Sequence, residues 1–350
     1  MAGMTSERYC VIGAGSWGTA LAKLLAESGK DVTLWAREPE VASCINEGHR
    51  NPLFLTAAKL PVSVTATNDL PAAVDGADGT VIVVPSAFFR AVVTPVASLF
   101  GKSGFIVTAT KGIEDETFKT PSQILEEVLP PLLRHRIAAL SGPSFAAEVA
   151  QRHPTAVAIA ARDIEFATEL QKIFSGEYFR VYATDDIVGV ELAGAIKNVL
   201  AIAAGTAAGL GFGSNTLAAI ITRGLAEMNR LAVKMGANPL TMLGLAGVGD
   251  LVLTCGGPLS RNRTVGEKLG RGMKLADVLG ETKMVAEGVR NARSVHNLSL
   301  KAGIEMPISS TVYRMLYEDL PPKETVGALM GRQLKKEREF DGEGPPHSRM

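Results

Sequence analysis

The segment from Arg8 to Trp35 most constrains the fold, because it places a glycine-rich turn between two β-prone runs. Arg8 to Ile12 is short and β-prone, and Gly13-Ala14-Gly15-Ser16-Trp17-Gly18 follows it directly. An amphipathic stretch then runs to Gly29, and a second β-prone run covers 31–35. A strand, a GxGxxG turn, a helix and a strand within about 30 residues form a βαβ unit that binds a dinucleotide.

Each glycine of this motif has a separate physical task. Gly13 permits the tight turn, Gly15 lets the backbone approach a pyrophosphate, and Gly18 lets the helix pack on the strand. The amino terminus of the helix then faces the phosphates. We therefore predict dinucleotide binding, and the alternative is an ordinary glycine-rich turn between a strand and a helix.

The residues after the second strand bear on which dinucleotide is used. An acidic side chain there accepts hydrogen bonds from the ribose hydroxyls of NAD, whereas an arginine accommodates the extra phosphate of NADP. Ala36 and Arg37 stand at this point, and Glu38 follows one residue later. The pattern favours NADP with NAD tolerated, and the alternative is that Arg37 is a solvated surface charge.

Further β-prone runs alternate with helical patterns, as in an open parallel α/β sheet. The predicted strands are Thr80–Val84, Phe105–Thr108, Ile137–Leu140, Ala156–Ala160 and Phe179–Tyr182, and the predicted helices are Phe88–Leu99, Gln123–Leu129 and Ile164–Phe174. Ligands of such sheets lie beyond the carboxyl ends of the strands. Lys111 and Ser144, which follow two of these runs, are therefore expected on the same rim as the glycine motif.

The stretch from Ile187 to Leu210 is almost wholly apolar, yet it carries Glu191, Lys197 and Asn198. The helix neighbours of Lys197 are all apolar, so the charge needs a partner, a ligand or a cleft from elsewhere. A membrane span is the alternative, because the length suffices. A lysine and a glutamate inside the stretch, and no basic cluster at either end, argue against it. We expect no integral membrane segment.

Length and composition predict two domains and exclude some functions. At 350 residues the chain exceeds the usual size of one core, and 46% of it is apolar. The 36 basic and 36 acidic residues cancel, which argues against nucleic-acid binding as the main function. Three scattered cysteines offer neither a disulfide framework nor a metal motif, and the first residues lack the order of a secretory signal. A cytoplasmic protein without a metal site is expected.

The second half of the chain shows helical patterns without comparable β alternation. We predict a Rossmann-like domain over 1–185, an all-α domain over 186–334 with helices at Asn215–Met235, Glu287–Ala302 and Ser309–Glu318, and a mobile tail over 335–350. Asp250 stands among glycines and apolar residues, where a lone carboxylate is unfavourable unless paired. Ser260-Arg261-Asn262 precedes a helical run, so it suits a phosphate or is a plain helix cap.

Seven ordered motifs together resemble the NAD(P)-dependent glycerol-3-phosphate dehydrogenases, and most closely the bacterial type. They are GAGSWGTALA from Gly13, ATKG from Ala109, GPSFAAEVA from Gly142, ELAGAIKN from Glu191, GLAGVGDLVLTC from Gly244, SRN from Ser260 and VAEG from Val285. The match covers roughly residues 8 to 332. The resemblance implies hydride transfer between a nicotinamide cofactor and dihydroxyacetone phosphate or sn-glycerol 3-phosphate, which supplies glycerol phosphate for phospholipids. It also implies a homodimer.

The resemblance also implies roles for individual residues. Lys197 matches the catalytic lysine, Asp250 and Thr254 match residues that orient it, and Lys111 matches a second substrate lysine on the cofactor side. The implied substrate contacts are Lys111, Gly142, Ser144, Lys197, Asn198, Asp250, Thr254, Ser260, Arg261 and Asn262. The implied cofactor contacts are Gly13, Gly15, Ser16, Trp17, Gly18, Arg37, Phe54, Lys111, Ala146, Arg261, Val285 and Glu287.

Some residues depart from the family pattern, and other families remain as alternatives. Leu55-Thr56-Ala57 replaces a common Leu-Pro-Gly after Phe54. The 3-hydroxyacid and 6-phosphogluconate dehydrogenases share the plan, but they place the lysine and its asparagine a helical turn apart, whereas Lys197 and Asn198 are adjacent. Cys255 could be a nucleophile, as in sugar-nucleotide dehydrogenases, although a packing role fits better. A redox-sensing regulator that binds NADP without turnover is the alternative from another class.

Overall fold

The protein is an α/β unit followed by a helical unit, as the sequence predicts. The computed structural model describes residues 7–101, 104–281, 286–334 and 336–337. The predicted tail over 335–350 therefore lies outside the described residues, apart from 336 and 337.

All described strands belong to one sheet in the first half of the chain. They are β1 Arg8–Ile12, β2 Asp31–Trp35, β3 Val64–Thr67, β4 Gly79–Ile82, β5 Phe105–Thr108, β6 Ile137–Ser141, β7 Thr155–Ala161 and β8 Phe179–Thr184. The helices between them are α1 Ser16–Glu27, α2 Pro39–Gly48, α3 Leu70–Val74, α4 Phe89–Val93, α5 Pro121–Val128, α6 Ala146–Ala150 and α7 Ile164–Phe174. Two apolar cores cover the two faces of the sheet.

The strand order β3-β2-β1-β4-β5-β6-β7-β8 places a switch point beside β1. The chain winds outward to β2 and β3 on one side of β1, and then returns to β4 on the other side. Ligands of open α/β sheets bind at such a point, outside the carboxyl ends of the strands. The glycine motif follows β1 and therefore stands at this position.

The sheet is mostly parallel, as predicted, and its parallel arrangement is interrupted between β6 and β7. β7 runs antiparallel to β6, with Ser141 opposite Ala158, and β8 is parallel to β7. The segment 142–154 therefore stays at the carboxyl edge of the sheet, where its short helix α6 packs on α1. An apolar run indicates burial but carries no record of strand direction, so the sequence could not reveal this reversal.

Other local predictions also needed correction. The helix predicted over Phe88–Leu99 is divided into α4, which ends at Val93, and a 3₁₀ turn at Thr94–Val96 that follows it directly. Pro95 stands in that turn and lacks the N–H that would continue an α-helix. The sequence analysis also missed α2, β3 and α3, because these elements are short and partly polar.

The described helices after β8 form the second unit. They are α8 Ile187–Gly209, α9 Ser214–Lys234, α10 Asp250–Gly256, α11 Arg261–Gly270, α12 Leu275–Gly280, α13 Glu287–Ala302, α14 Pro307–Tyr317 and α15 Pro322–Met330. The helix α8 lies at the centre, because α9, α10, α11, α13 and α14 all pack against it. It is the one described helix with the length and apolar character of a membrane span, and 89% of the relevant window is buried inside the protein.

The path of α8 explains how Lys197 reaches the rim of the sheet. The strand β8 is parallel to β7, and both run antiparallel to the other strands. The strand β8 therefore ends at the edge of the sheet opposite the one that carries the glycine motif. The helix α8 begins there, and its contacts with β6 and β7 carry it back along the sheet. Ten residues at 1.5 Å each place Lys197 about 15 Å from the helix start.

A buried carboxylate fastens α8 to the first unit. Glu191 accepts hydrogen bonds from the Ser122 amide at 2.8 Å and from the Ser122 hydroxyl at 2.5 Å, at the start of α5. Burial raises the pKa of Glu191 to about 7, although these hydrogen bonds oppose the shift. Glu191 thus has a structural partner, which leaves Lys197 as the charge on this helix that still needs one.

Glycines allow α8 and α11 to approach more closely than ordinary side chains would permit. A Cβ atom on Gly205 would lie 1.9 Å from the Arg263 carbonyl oxygen, and one on Gly266 would lie 2.0 Å from the Ile202 carbonyl oxygen. Both obstacles are backbone atoms of the opposite helix, so neither can rotate away. The contact therefore requires glycine on both sides, and it fixes α11 against the middle of α8.

We expect Gly266→Ala to lower the free energy of unfolding by about 1 to 3 kcal/mol, because the two helices must separate to admit the methyl group. The matched control is Gly327→Ala in α15, where nothing lies within 4 Å of the Cβ position. That change should stabilise the protein by about 0.5 to 1 kcal/mol through helix propensity alone. Urea unfolding measures both, and equal effects at the two positions would contradict the packing argument.

Candidate active site

A large cavity lies between the sheet rim and the helical unit. Its volume is about 1320 Å³. A pocket for one small ligand typically has a volume of about 300 to 1,000 Å³. The larger volume of this cavity suits a dinucleotide together with a small substrate. The predicted site residues that line it are Gly13, Gly15, Ser16, Trp17, Gly18, Arg37, Phe54, Lys111, Ser144, Ala146, Lys197, Asn198, Thr254, Ser260, Arg261 and Glu287.

The glycine motif has the geometry that a pyrophosphate requires. Gly13 has a φ of +116°, in the region that favours glycine, and a Cβ on Gly18 would lie 1.8 Å from the Gly13 carbonyl oxygen. At Gly15, in contrast, nothing lies within 4 Å of the Cβ position, so the open space belongs to the cavity. The Trp17 indole N–H is buried and finds no acceptor among the described residues. The chain therefore fits a dinucleotide at this turn.

Phe54 lies on the cavity wall because a buried amide holds its loop against the glycine motif. Asn51 accepts hydrogen bonds from the amides of Leu53 and Phe54, at 3.1 and 2.9 Å. It donates to the Ala14 carbonyl and to the Thr19 hydroxyl, at 2.8 and 2.9 Å. The departure from the family pattern at 55–57 therefore leaves Phe54 facing the cavity.

The centre of the site is a buried carboxylate that two lysines share. Lys197 Nζ lies 2.7 Å from Asp250 Oδ1, and Lys111 Nζ lies 2.7 Å from Asp250 Oδ2. Lys197 also donates to the Thr254 hydroxyl at 2.8 Å, and that hydroxyl donates to the Asp250 carbonyl at 2.6 Å. The fold thus supplies the missing counterion of Lys197 from the first residue of α10 and brings Lys111 to the same carboxylate.

The charges of this cluster shift each other's protonation. Burial lowers the pKa of Lys197 to about 8, with Lys111 acting in the same direction and Asp250 opposing both. Burial alone would raise the pKa of Asp250, but the two lysines outweigh it and hold that pKa below its usual value. The cluster therefore combines two basic side chains with one acidic one, and it places an excess of positive charge beside the cavity.

Three predicted substrate residues lie behind the cavity wall and do not line it: Gly142, Asp250 and Asn262. The Gly142 carbonyl accepts hydrogen bonds from Lys111 at 3.3 Å and from the Ser144 hydroxyl at 3.1 Å. Asn262 donates to Asn198 at 2.9 Å and accepts from the Gly288 amide at 2.9 Å. Each therefore supports a residue that does line the cavity.

Ser260 and Arg261 combine the two readings of the Ser-Arg-Asn sequence. The Ser260 hydroxyl caps α11 by accepting a hydrogen bond from the Arg263 amide at 3.2 Å. Arg261 is the first residue of that helix, and its exposed side chain lines the cavity. A helix start with an arginine beside it suits a phosphate.

Glu287 also lines the cavity, and it makes a contact that the sequence analysis missed. Glu287 Oε2 accepts a hydrogen bond from the Ser86 hydroxyl at 2.9 Å, which joins the start of α13 to the turn after β4. The signal was available, since Pro85-Ser86 ends a strand beside the switch point. Val285, a predicted cofactor contact, lies outside the described residues.

Cys255 does not have the surroundings of a nucleophile. It is fully buried within the core of the helical unit, and burial raises the pKa of its thiol to about 12. A thiol of this kind stays protonated and packs as a small apolar side chain.

Comparison with known proteins decides the family. Two protein-family models match this chain. The model for the amino-terminal part of NAD-dependent glycerol-3-phosphate dehydrogenase matches residues 8–167, and the model for the carboxyl-terminal part matches residues 186–327. The chain belongs to the NAD-dependent glycerol-3-phosphate dehydrogenase family. It is an oxidoreductase that uses NAD(P) and interconverts dihydroxyacetone phosphate and glycerol 3-phosphate.

Individual relatives are similar over nearly their whole length. A protein of Geobacter metallireducens named glycerol-3-phosphate dehydrogenase [NAD(P)+] is 54% identical over 332 residues, which are 95% of this chain and 99% of that protein. One of Leptospira biflexa with the same name is 50% identical over 327 residues, 93% of this chain and 98% of the relative. The crystal structure of the Coxiella burnetii glycerol-3-phosphate dehydrogenase has a TM-score of 0.89 and 40% identity, with 93% of this chain and 99% of that chain covered.

Proposed function

We propose that Lys197 donates the proton, and Lys111 polarises the carbonyl, when this enzyme reduces dihydroxyacetone phosphate. The single observation that supports these roles is the Asp250 carboxylate shared by both lysines at 2.7 Å. It holds two ammonium groups within a few ångströms of each other at the cavity wall, where a carbonyl oxygen can meet both.

The proposed chemistry needs little beyond these groups. A nicotinamide bound in the cavity would supply the hydride for the C2 carbon. Lys197 gives the C2 oxygen its proton, and its pKa of about 8 lies close to neutral pH, which favours exchange in both directions. Asp250 and Thr254 hold the Lys197 ammonium in place. The net positive charge of the cluster stabilises negative charge that develops on the oxygen.

Arg261, Ser260 and the start of α11 are the proposed phosphate site. Arginine binds phosphate through paired N–H groups, and a helix amino terminus favours an anion. Asn198 follows Lys197 in the chain, and it accepts a hydrogen bond from Asn262, the residue after Arg261. We assign Asn198 to the substrate as well. On the cofactor side we assign Ser16, Trp17 and the glycines to the pyrophosphate.

We further propose a homodimeric cytoplasmic enzyme that supplies glycerol phosphate for phospholipid synthesis, with the domain boundary at Asp185 and a preference for NADP over NAD. The dimer rests on what relatives of this kind suggest, and sedimentation velocity tests it, since one monomer of 36.8 kDa would contradict it. The NADP preference rests on Arg37, which lines the cavity beyond the end of β2.

Lys197→Ala should lower kcat for dihydroxyacetone phosphate by about 10²- to 10⁴-fold, because a general acid contributes that much. NADPH consumption, followed at the nicotinamide absorbance band, measures it. Cofactor Kd values should stay within about twofold, since the proposed pyrophosphate site lies elsewhere. Equal loss of binding and turnover would make Lys197 a structural residue. Turnover of a hydroxyacid by the wild type, and none of dihydroxyacetone phosphate, would remove the assignment of the substrate.

Asp250→Asn should shift the pH profile of carbonyl reduction towards acid. Reduction requires protonated Lys197, so kcat of the wild type falls as pH rises through a pKa of about 8. Asp250 raises that pKa, and its neutral replacement therefore starts the fall at lower pH. Thr254→Ser is the control, because it keeps the hydroxyl that Lys197 contacts. An unchanged basic limb in Asp250→Asn would contradict the proposed role of Lys197.

Arg37→Ala should reduce the preference for NADPH over NADH by about tenfold or more, through the KM for NADPH. An arginine that grips a 2′-phosphate through charge-assisted hydrogen bonds is worth roughly 1.5 to 3 kcal/mol. The ratio of kcat/KM for the two cofactors measures the effect. Arg50→Ala, at an exposed arginine that contacts the Thr56 and Ala57 carbonyls, serves as a charge control. If the ratio of kcat/KM for NADPH and NADH changes equally in both variants, Arg37 is a solvated surface charge and does not bind the 2′-phosphate.

A further inference from the structure

Arg37 already holds an anion in this structure, and that anion is the side chain of the next residue. Arg37 Nη2 and Nε donate to the same carboxylate oxygen of Glu38, at 2.6 and 3.1 Å. Both residues line the cavity beyond β2. The Arg37 side chain is 75% exposed and that of Glu38 is 33% exposed, so the pair stands at the mouth of the cleft.

The Glu38 carboxylate has no local structural task that would explain its position. Glu38 is the residue before α2, but its side chain makes no capping hydrogen bond to that helix. Pro39 opens the helix, and its missing N–H removes one of the donors that a cap would serve. Within the described residues, the hydrogen bonds recorded for this carboxylate go to Arg37 alone.

We propose that Glu38 is a specificity-determining residue that limits the preference for NADP by competing with the 2′-phosphate for Arg37. This inference rests on the assignment of Arg37 to the adenosine end of the cofactor. A carboxylate and a phosphate accept hydrogen bonds from the same N–H groups of a guanidinium. The 2′-phosphate can therefore bind Nε and Nη2 of Arg37 only if it displaces the Glu38 carboxylate. An adenosine ribose without the phosphate leaves the pair intact.

The energy of the Arg37–Glu38 pair and the repulsion between Glu38 and the 2′-phosphate determine how strong the competition is. Because the pair is exposed, breaking it weakens binding only by a factor of about two to five. A second contribution comes from the repulsion between the carboxylate and the phosphate, which the open solvent screens. The 2′-phosphate therefore displaces Glu38, but with a lower affinity than Arg37 alone would give. An enzyme that accepts both cofactors results from this arrangement.

The test is the affinity of the free enzyme for each cofactor, measured by isothermal titration calorimetry at one ionic strength. Glu38→Gln should lower the Kd for NADPH by about three- to tenfold, whereas the Kd for NADH should change by less than about twofold. The matched control is Glu40→Gln, which removes the same charge from an exposed position in the first turn of α2. It should leave both Kd values within about twofold.

A second titration isolates the phosphate itself. Adenosine 2′,5′-bisphosphate should bind Glu38→Gln more tightly than it binds the wild type, while AMP should bind both equally. An unchanged or weaker affinity of Glu38→Gln for NADPH would overturn the proposal. An equal decrease in the Kd values for NADPH and NADH would also overturn the proposal. That result would indicate a general electrostatic effect of the lost charge and not competition for Arg37. Wild-type turnover of dihydroxyacetone phosphate tests the enzyme's function independently of either result.

Discussion

The proposed active site depends on one buried carboxylate, that of Asp250. Its side chain is 1% exposed, and an isolated charge at that depth would be strongly unfavourable. Two ammonium groups at 2.7 Å make it possible, one from the rim of the sheet and one from the central helix. The reverse dependence also holds, because Lys197 has no other anionic partner in the described cluster. Removal of the Asp250 carboxylate would therefore leave the Lys197 ammonium buried and without a counterion.

The close contact between α8 and α11 holds the proposed phosphate site at a fixed distance from this carboxylate. Glycines at 205 and 266 let the two backbones touch, so the start of α11 stands beside the middle of α8. Asn262 then reaches Asn198, which follows Lys197 directly in the chain. A single methyl group added to either glycine would push the helices apart and move Arg261 relative to Lys197. Glycines on both helices thus position the two proposed functional groups relative to each other.

The sequence allowed the sheet, the glycine motif and the need of Lys197 for a partner to be predicted, because each follows from local patterns. The direction of β7 could not be predicted, since burial looks the same in either direction. The positions of Gly142 and Asn262 behind the cavity wall were also out of reach, because a motif match does not separate a residue that contacts a ligand from one that supports it. The Arg37–Glu38 pair was missed for a similar reason, as adjacent opposite charges in a sequence look like an ordinary solvated surface.

The proposed catalytic cluster needs both units of the chain, because its two lysines come from different units. Lys111 follows β5 in the first unit, whereas Lys197 and Asp250 belong to the second. Contacts such as Glu191 with Ser122 and Glu287 with Ser86 hold the two units together around the cluster. If they separated, water would reach Lys197, and the burial that lowers its pKa would be lost. The strength of the proposed acid is therefore a property of the interface between the units, and not of either unit alone.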